Sequence, residues 1–444
     1  MDTSVRHHRK RFYQDLSFQV FVGMAIGVAV GHYLPDIGST MKPLGDAFIR
    51  LIQMVVALII FCTVVTGIAG VGDMKKVGRV AIKALIYFEV ITSFALVLGL
   101  VVINILQPGV GMNLDISHLD THAADGYITT AHNFVSTSEF LLNIIPKTAV
   151  SAFATGDILQ VLFFSVLFAF GLGAAGEKAQ PVMTIIESFS SGLFWIIGLA
   201  MKVAPIAAFG AIAFTVSKFG FESLLSLGKL VVDFYLICIL FLALILWPVT
   251  RYCGFSLLKL MRYIRSELVL VVGTSSSESV FPQLLQKLEK VGCEKSIVGL
   301  VVPAGYSFNH DGTCLYFAAV SVFLAQATNT ALGWEGQVGL LLVLLITSKG
   351  GAGVAGSAIA VLAATLAATN TIPVTSIAVI IGVHRLLSSV MVVINIIGNA
   401  VATIFIAKIE NSLDWDRFKE QLNVGYQSED KSLDISIPSK KVSN

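Results

Sequence analysis

His384, Ser388, Met391, Asn395 and Asn399 lie in the apolar stretch "GVHRLLSSVMVVINIIGNA" at steps of four, three, four and four. At about 100° per residue those steps keep all five within one narrow arc of a helix. Four of the five are polar, so a hydrophilic stripe runs along a helix otherwise suited to lipid. A second concentration is "SFNHDGT", Ser307 to Thr313, in the middle of "IVGLVVPAGYSFNHDGTCLYFAAVSVFLA". An Asp inside such a run costs about 2.5–3.5 kcal/mol on insertion, and a functional role is the default reading. Asn309, Asp311 and Thr313 offer oxygens to a hard cation such as sodium, and Gly312 loosens the helix beside them. The plainer alternative is an Asp satisfied by hydrogen bonds between helices. His310 either titrates near neutral pH in support of proton coupling or is a neutral core His.

"GTSSSES", Gly273 to Ser279, has the make-up of a hairpin tip that presents N–H groups and hydroxyls to a carboxylate. It does not match GxxxxGK[ST], which argues against a nucleotide loop. "SKGGAGVAGS" supplies a second tip of small residues. Ser-rich turns and small-xxx-small helix contacts are the respective alternatives. Glu89 adds an intramembrane carboxylate, with Thr92 and Ser93 close behind it, as a weaker cation or proton site.

The elements that position these groups are membrane helices. Of the 444 residues 55% are hydrophobic and 13% charged, against about 25% charged in a soluble domain. Apolar runs of about 20–30 residues suit helical spans and exclude a barrel. The net charge of +2 gives no case for nucleic acid. HExxH, a nucleophile elbow and paired catalytic carboxylates are all missing from the sequence, which argues against an enzyme. The five cysteines have no metal-like or disulfide-like spacing and read as core thiols. The 29 phenylalanines read as apolar surface.

Residues Gln107 to Pro146 contain no Lys or Arg, whereas "RHHRKR", "KKVGRVAIK" and "RYCGFSLLKLMRYIR" are strongly basic. The positive-inside rule places the basic segments and both termini in the cytoplasm. The amino-terminal apolar run lacks a cleavage pattern and reads as a retained first span. Spans are expected at about 14–34, 44–71, 80–106, within 139–219 and at 223–250. Beyond residue 255 the order is interrupted run, polar helix, interrupted run, polar helix. Such duplication marks a transporter binding site at mid-membrane, where irregular backbone must line a cavity or be buried in protein.

"MKPLGDAFIRLI", "FCTVVTGIAGV", "GTSSSES", "SFNHDGT", "SKGGAGVAGS" and "NIIGNAVATIFIAK" together resemble the dicarboxylate/amino acid:cation symporter family, over residues of about 14 to 410. The resemblance implies an all-α polytopic fold of eight transmembrane helices plus two re-entrant hairpins, about 255–293 and 335–369, with inverted repeats. It implies a homotrimer in the bacterial inner membrane. Residues 14–72 and 135–219 would form a static scaffold, and 79–107 and 222–410 a transport domain that moves like an elevator. Residues 1–13 and 411–444 would be cytoplasmic ends. No cofactor is implied beyond a coupling ion, sodium or proton. Carried over by position, Ser276, Ser277, Thr313, Val354, Gly356, Ser388, Met391 and Asn395 would line the carboxylate site, with Gly353 to Gly356 in the gate. Thr92, Ser307, Asn309, Asp311, Asn395 and Asn399 would serve the cations, with sodium at Asn309, Asp311 and Asn399.

The departures bear on the substrate. The dicarboxylate branch has an Arg at the position of Met391 and an Asp at that of His384, while Ser388 and Asn399 agree with that branch. A charge-assisted hydrogen bond contributes about 1.5–3 kcal/mol, so a dianion is expected to bind roughly a hundredfold less well without the Arg. Arg385 projects about 100° from the stripe and does not replace it. The expectation is cation-coupled symport of small organic carboxylates, four-carbon dicarboxylates by family. A monocarboxylate or neutral substrate, or a membrane sensor or partner protein that keeps the fold but no longer transports, are the alternatives.

Overall fold

The computed structural model describes residues 16–69, 74–114, 142, 144–347, 357–369 and 372–424. Among the described residues the chain is helical, with one isolated bridge between Cys293 and Leu413 and no strand. The helices used below are α1 (Leu16–Tyr33), α2 (Lys42–Ala69), α3 (Met74–Leu106), α4 (Ile158–Ala175), α5 (Gln180–Met201), α6 (Ala204–Ser226) and α7 (Gly228–Cys253). After these come α8 (Arg265–Thr274), α9 (Phe281–Lys290), α10 (Lys295–Phe308), α11 (Asp311–Ala327), α12 (Trp334–Thr347), α13 (Ser357–Thr369), α14 (Ile381–Ile409) and α15 (Trp415–Val424). Among the described residues, five stretches are long and apolar enough to cross a bilayer: Pro35–Ala69, Lys75–Leu106, Ile158–Met201, Gly228–Cys253 and Val383–Ile409. The amino-terminal segment, most of the acidic loop, the second small-residue tip with Val354 and Gly356, and the end of the tail lie outside the described residues.

Small residues set the packing. Gly23, Gly27 and Gly31 of α1 lie against the backbone of Pro205, Phe209 and Ala213 of α6. The register advances by four on both helices, so the two run parallel with their backbones nearly touching, as small-xxx-small spacing permits in lipid. Gly99 of α3 and Gly109, three residues beyond its end, do the same along α11. Gly67 of α2 meets Lys295 while Gly299 of α10 meets Thr63, an antiparallel pair.

The polar-striped helix α14 is the centre of the molecule. Its apolar window is 83% buried, against 22% for Ile158–Met201, whose Ile185, Phe189 and Trp195 face outward. All five cysteines are buried thiols outside any disulfide, in keeping with their reading as core thiols. The phenylalanines require a correction. Phe48, Phe88, Phe234, Phe241, Phe281, Phe317, Phe323 and Phe418 are fully buried, and Phe61, Phe153, Phe164 and Phe168 form a ring cluster. They fill the interior because helices held apart by side chains elsewhere need large groups between them.

Ion pairs fasten the base of α3 to the two helices that carry the candidate site. Lys76 pairs with Glu294, the residue before α10, at 2.7 Å. Lys83 and Arg79 pair with Glu410, the residue after α14, at 2.5 and 3.1 Å. Burial alone raises the Glu410 carboxyl, but the bonds from Lys83 and Arg79 outweigh it and hold the group below its ordinary value. A depressed carboxylate stabilises the fold above the ordinary carboxylate range, and that contribution is lost as pH falls through the depressed value. Glu410→Gln is therefore expected to lower stability at neutral pH by on the order of 1 kcal/mol. Thermal unfolding in detergent, followed from neutral to acid pH, should show a smaller acid-induced loss in the variant than in the wild type.

Candidate substrate and cation site

Helix α10 ends at Phe308 and α11 begins at Asp311, because Asn309 (φ −100, ψ 69) and His310 (φ −98, ψ 53) leave the helical conformation. A break strands the first N–H groups of the new helix. Asn395 of α14 takes them: its Oδ1 accepts from Gly312 N–H at 2.8 Å and Thr313 N–H at 3.4 Å, and its Nδ2 donates to Thr313 Oγ1 at 3.0 Å. One side chain thus caps α11 from another helix, as a local N-cap residue would. Asn399, one turn on, donates to the Val302 carbonyl at 3.0 Å. With its amide turned to satisfy both neighbours, Asn309 donates to Asp311 Oδ1 at 3.1 Å and accepts from Asn399 N–H at 3.3 Å.

Glycines allow this approach. A Cβ on Gly312 would strike the Met391 carbonyl, one on Gly398 the Asp311 carboxylate, and one on Gly305 the Asn399 amide. Asp311 is fully buried, and Asn399 Oδ1 is buried with no hydrogen-bond partner among the described residues. A carboxylate, an unused amide oxygen and Asn309 side by side are a donor set that fits a hard cation such as sodium. No group of three His, Cys, Asp or Glu side chains suited to a metal is found among the described residues.

Helices α8 and α9 form a hairpin closed at its base by Lys287, which donates to the Tyr263 carbonyl at 2.9 Å and pairs with Glu267 at 2.8 Å. At the tip Ser275 adopts φ +51, and Ser279 Oγ donates to the Ser276 carbonyl at 2.6 Å. Ser276 and Ser277 are buried, and the Ser276 hydroxyl has no partner among the described residues. The carbonyls left over at the end of α8 are taken by α14: Arg385 donates to Gly273 O at 2.9 Å and Ser389 to Val272 O at 3.1 Å. Ser389 also bonds Ser275 at 2.7 Å.

Arg385 and Ser389 are therefore the residues that sequence reasoning missed. Their signal was present as a second i, i+4 polar pair, about 100° from the stripe. The stripe itself divides its partners. His384 Nδ1 lies 3.0 Å from Tyr316 Oη with the rings edge to face. Ser388 is buried and bonds the Arg385 carbonyl at 3.2 Å, and Met391 is buried beside Gly312. Of the remaining predicted residues, His310 is buried, and Thr92 is buried on α3, where its hydroxyl donates to the Phe88 carbonyl at 2.7 Å. Ser307 is half-buried, with no hydrogen bond to the cluster among the described residues. Tyr87 of α3, also missed, lies within electrostatic reach of Asp311.

The profile of the sodium:dicarboxylate symporter family matches residues 16–409. The chain belongs to that family. A C4-dicarboxylate transport protein from Geobacter sp. (strain M21) is 52% identical over 429 residues, covering 96% of this chain and 97% of the relative. Proteins of the same name from Laribacter hongkongensis (strain HLHK9) and Acinetobacter baylyi (strain ATCC 33305 / BD413 / ADP1) are 53% and 49% identical, covering 93% and 97% of this chain and 94% and 99% of their own lengths. Family and apolar helices together make it an integral membrane protein and a member of a transporter family, as the sequence reading expected.

The cap gives a test of this symporter fold. Asn395→Ala leaves a buried N–H unpaired and should cost about 1–3 kcal/mol, while Thr313→Val, which removes one shared bond, should cost about 1 kcal/mol. The double variant is expected to lose less than the sum in thermal unfolding. Strict additivity would separate the two side chains energetically.

Proposed function

We propose that this protein is a secondary active symporter that couples a sodium or proton gradient to uptake of small organic carboxylates. It works in the bacterial inner membrane with both termini cytoplasmic. The observation that carries the reading is the capping of the α10–α11 break by Asn395, beside the Asp311, Asn309 and Asn399 oxygens. Polar ends of discontinuous helices at membrane depth are the common construction of symporter sites. The unpartnered Ser276 hydroxyl, on a hairpin bonded to the same helix, supplies a hydrogen-bond donor for a carboxylate.

In this reading Ser276, Ser277, Thr313 and Asn395 hold the carboxylate, Ser388 and Met391 form the adjoining wall, and Val354 and Gly356 belong to the gate. Asn309, Asp311 and Asn399, with Thr92, Ser307 and Asn395 around them, hold the coupling cation, whose positive charge favours the anion beside it. Gate closure over the loaded site precedes movement of the transport domain, residues 79–107 and 222–410, against a trimeric scaffold, residues 14–72 and 135–219. Eight spans and two re-entrant hairpins complete that arrangement.

Relatives of this sequence are named for four-carbon dicarboxylates, and the carboxylate chemistry is taken from them. Met391 narrows it. A thioether offers no charge-assisted bond, so one carboxylate is held firmly and a second weakly. The protein reconstituted in liposomes is expected to accumulate acids from a panel of labelled mono- and dicarboxylates under a sodium or a proton gradient. No accumulation of any acid under either gradient sinks the proposal.

Met391→Arg combined with His384→Asp is expected to raise dicarboxylate affinity by about a hundredfold relative to the parent. An Asp at 384 can still accept from Tyr316, so the supporting bond survives. Competition by unlabelled succinate against the labelled substrate measures the change, and unchanged competition in a well-folded double variant removes Met391 from the site.

A further inference from the structure

Glu278 is a buried carboxylate that the substrate and cation sites leave unused. It follows the tip of the α8–α9 hairpin, is 6% exposed, and receives Gln53 Nε2 of α2 at 2.6 Å. Gln53 belongs to the segment assigned above to the scaffold and Glu278 to the transport domain, so the bond crosses the boundary between them.

The surroundings of Glu278 hold no compensating charge. From α2 the facing group is the neutral Gln53 amide. From α10 it is the Tyr306 phenol, and Arg50 of α2 is exposed. On the hairpin arms Lys287 and Glu267 pair with each other at the base, and at the tip Arg385 donates to the Gly273 carbonyl. No Lys, Arg or His forms an ion pair with Glu278 among the described residues. An ionised carboxylate buried without a counter-charge costs several kcal/mol. Gln53 suits either form, because an amide donates to a carboxylate and accepts from a carboxylic acid.

Resting on the symport reading, we propose that Glu278 carries the coupling proton, bound while the hairpin lies against α2 and released when the two part. An O–H bond forms on the Glu278 carboxylate with a proton from water on one side, and the same proton returns to water on the other. Coupling to substrate follows from position. Ser276, the candidate carboxylate contact, lies two residues away, so an anion there opposes a second negative charge at Glu278. Anion and proton then favour each other's binding by the same factor, as linkage requires.

Two measurements test this separately from transport itself. The infrared spectrum of the wild-type protein in liposomes is expected to contain a carboxylic acid C=O band that Glu278→Gln removes, and the absence of such a band overturns the assignment. In the uptake assay, whichever labelled acid of the panel the wild type accumulates is the probe. Glu278→Gln, a fixed mimic of the neutral acid, is expected to lose accumulation driven by a pH gradient and to exchange the acid at a rate no longer dependent on pH. Glu278→Asp, which keeps a titrating group, is expected to retain proton-driven accumulation. Concentrative proton-driven uptake by Glu278→Gln overturns the proposal. A wild type that accumulates no acid overturns the symport reading, and the infrared band still decides whether Glu278 holds a proton.

Discussion

Everything in this molecule depends on satisfying the backbone where α10 stops and α11 starts. In water those N–H groups would find solvent, but at membrane depth an unpaired group costs several kcal/mol. Asn395 meets the requirement from a different helix, with one oxygen shared between Gly312 and Thr313. That choice fixes the rest. The side chain reaches only if α14 lies within van der Waals contact of the break, which Gly305, Gly312 and Gly398 permit and any larger residue would oppose.

Once α14 is placed there, its other face is also determined. Arg385 and Ser389 point about 100° around the helix from the stripe and meet the hairpin end of α8, whose last carbonyls need donors for the same reason. One helix therefore closes two chain ends, and the Ser-rich tip is held relative to the α11 start by a rigid rod. Six residues separate Ser389 from Asn395, about 9 Å of helix. Two polar sites on one rod keep that spacing as long as the helix stays intact.

Much of this could be read from the residues in order. The stripe obeys the helical repeat, the polar interruption of an apolar run marks the break, and "GTSSSES" has turn chemistry. The pairings could not be read. Asn395 and Gly312 are 83 positions apart, and nothing local to either shows that one caps the other. Helical spacing shows that Arg385 is off the stripe, but its partner is a carbonyl on another element that spacing cannot reveal. The phenylalanines failed for a related reason: periodicity separates faces of one helix, but in a bundle of many helices both faces of a helix can be interior. Val354 and Gly356, expected from the resemblance to belong to a gate, lie outside the described residues.

Met391 and His384 lie seven residues, about two turns, apart on the same face of α14. An Arg at position 391 would bring a buried cation to the carbonyl side of Gly312, and a carboxylate at 384, seven residues earlier on the same stripe, would balance it. Here neither charge is present and the stripe is packed without them: Met391 is buried and His384 is tied to Tyr316 of α11. Asn395, at the midpoint of α14, and Asn399 beyond it face the start of α11, whereas His384 and Met391 occupy the first half of the helix. The side chain that caps the α10–α11 break is thus a different one from those at 384 and 391. Side chains at 384 and 391 can change while the cap stays intact, because it is Asn395 that meets the N–H groups stranded at the break.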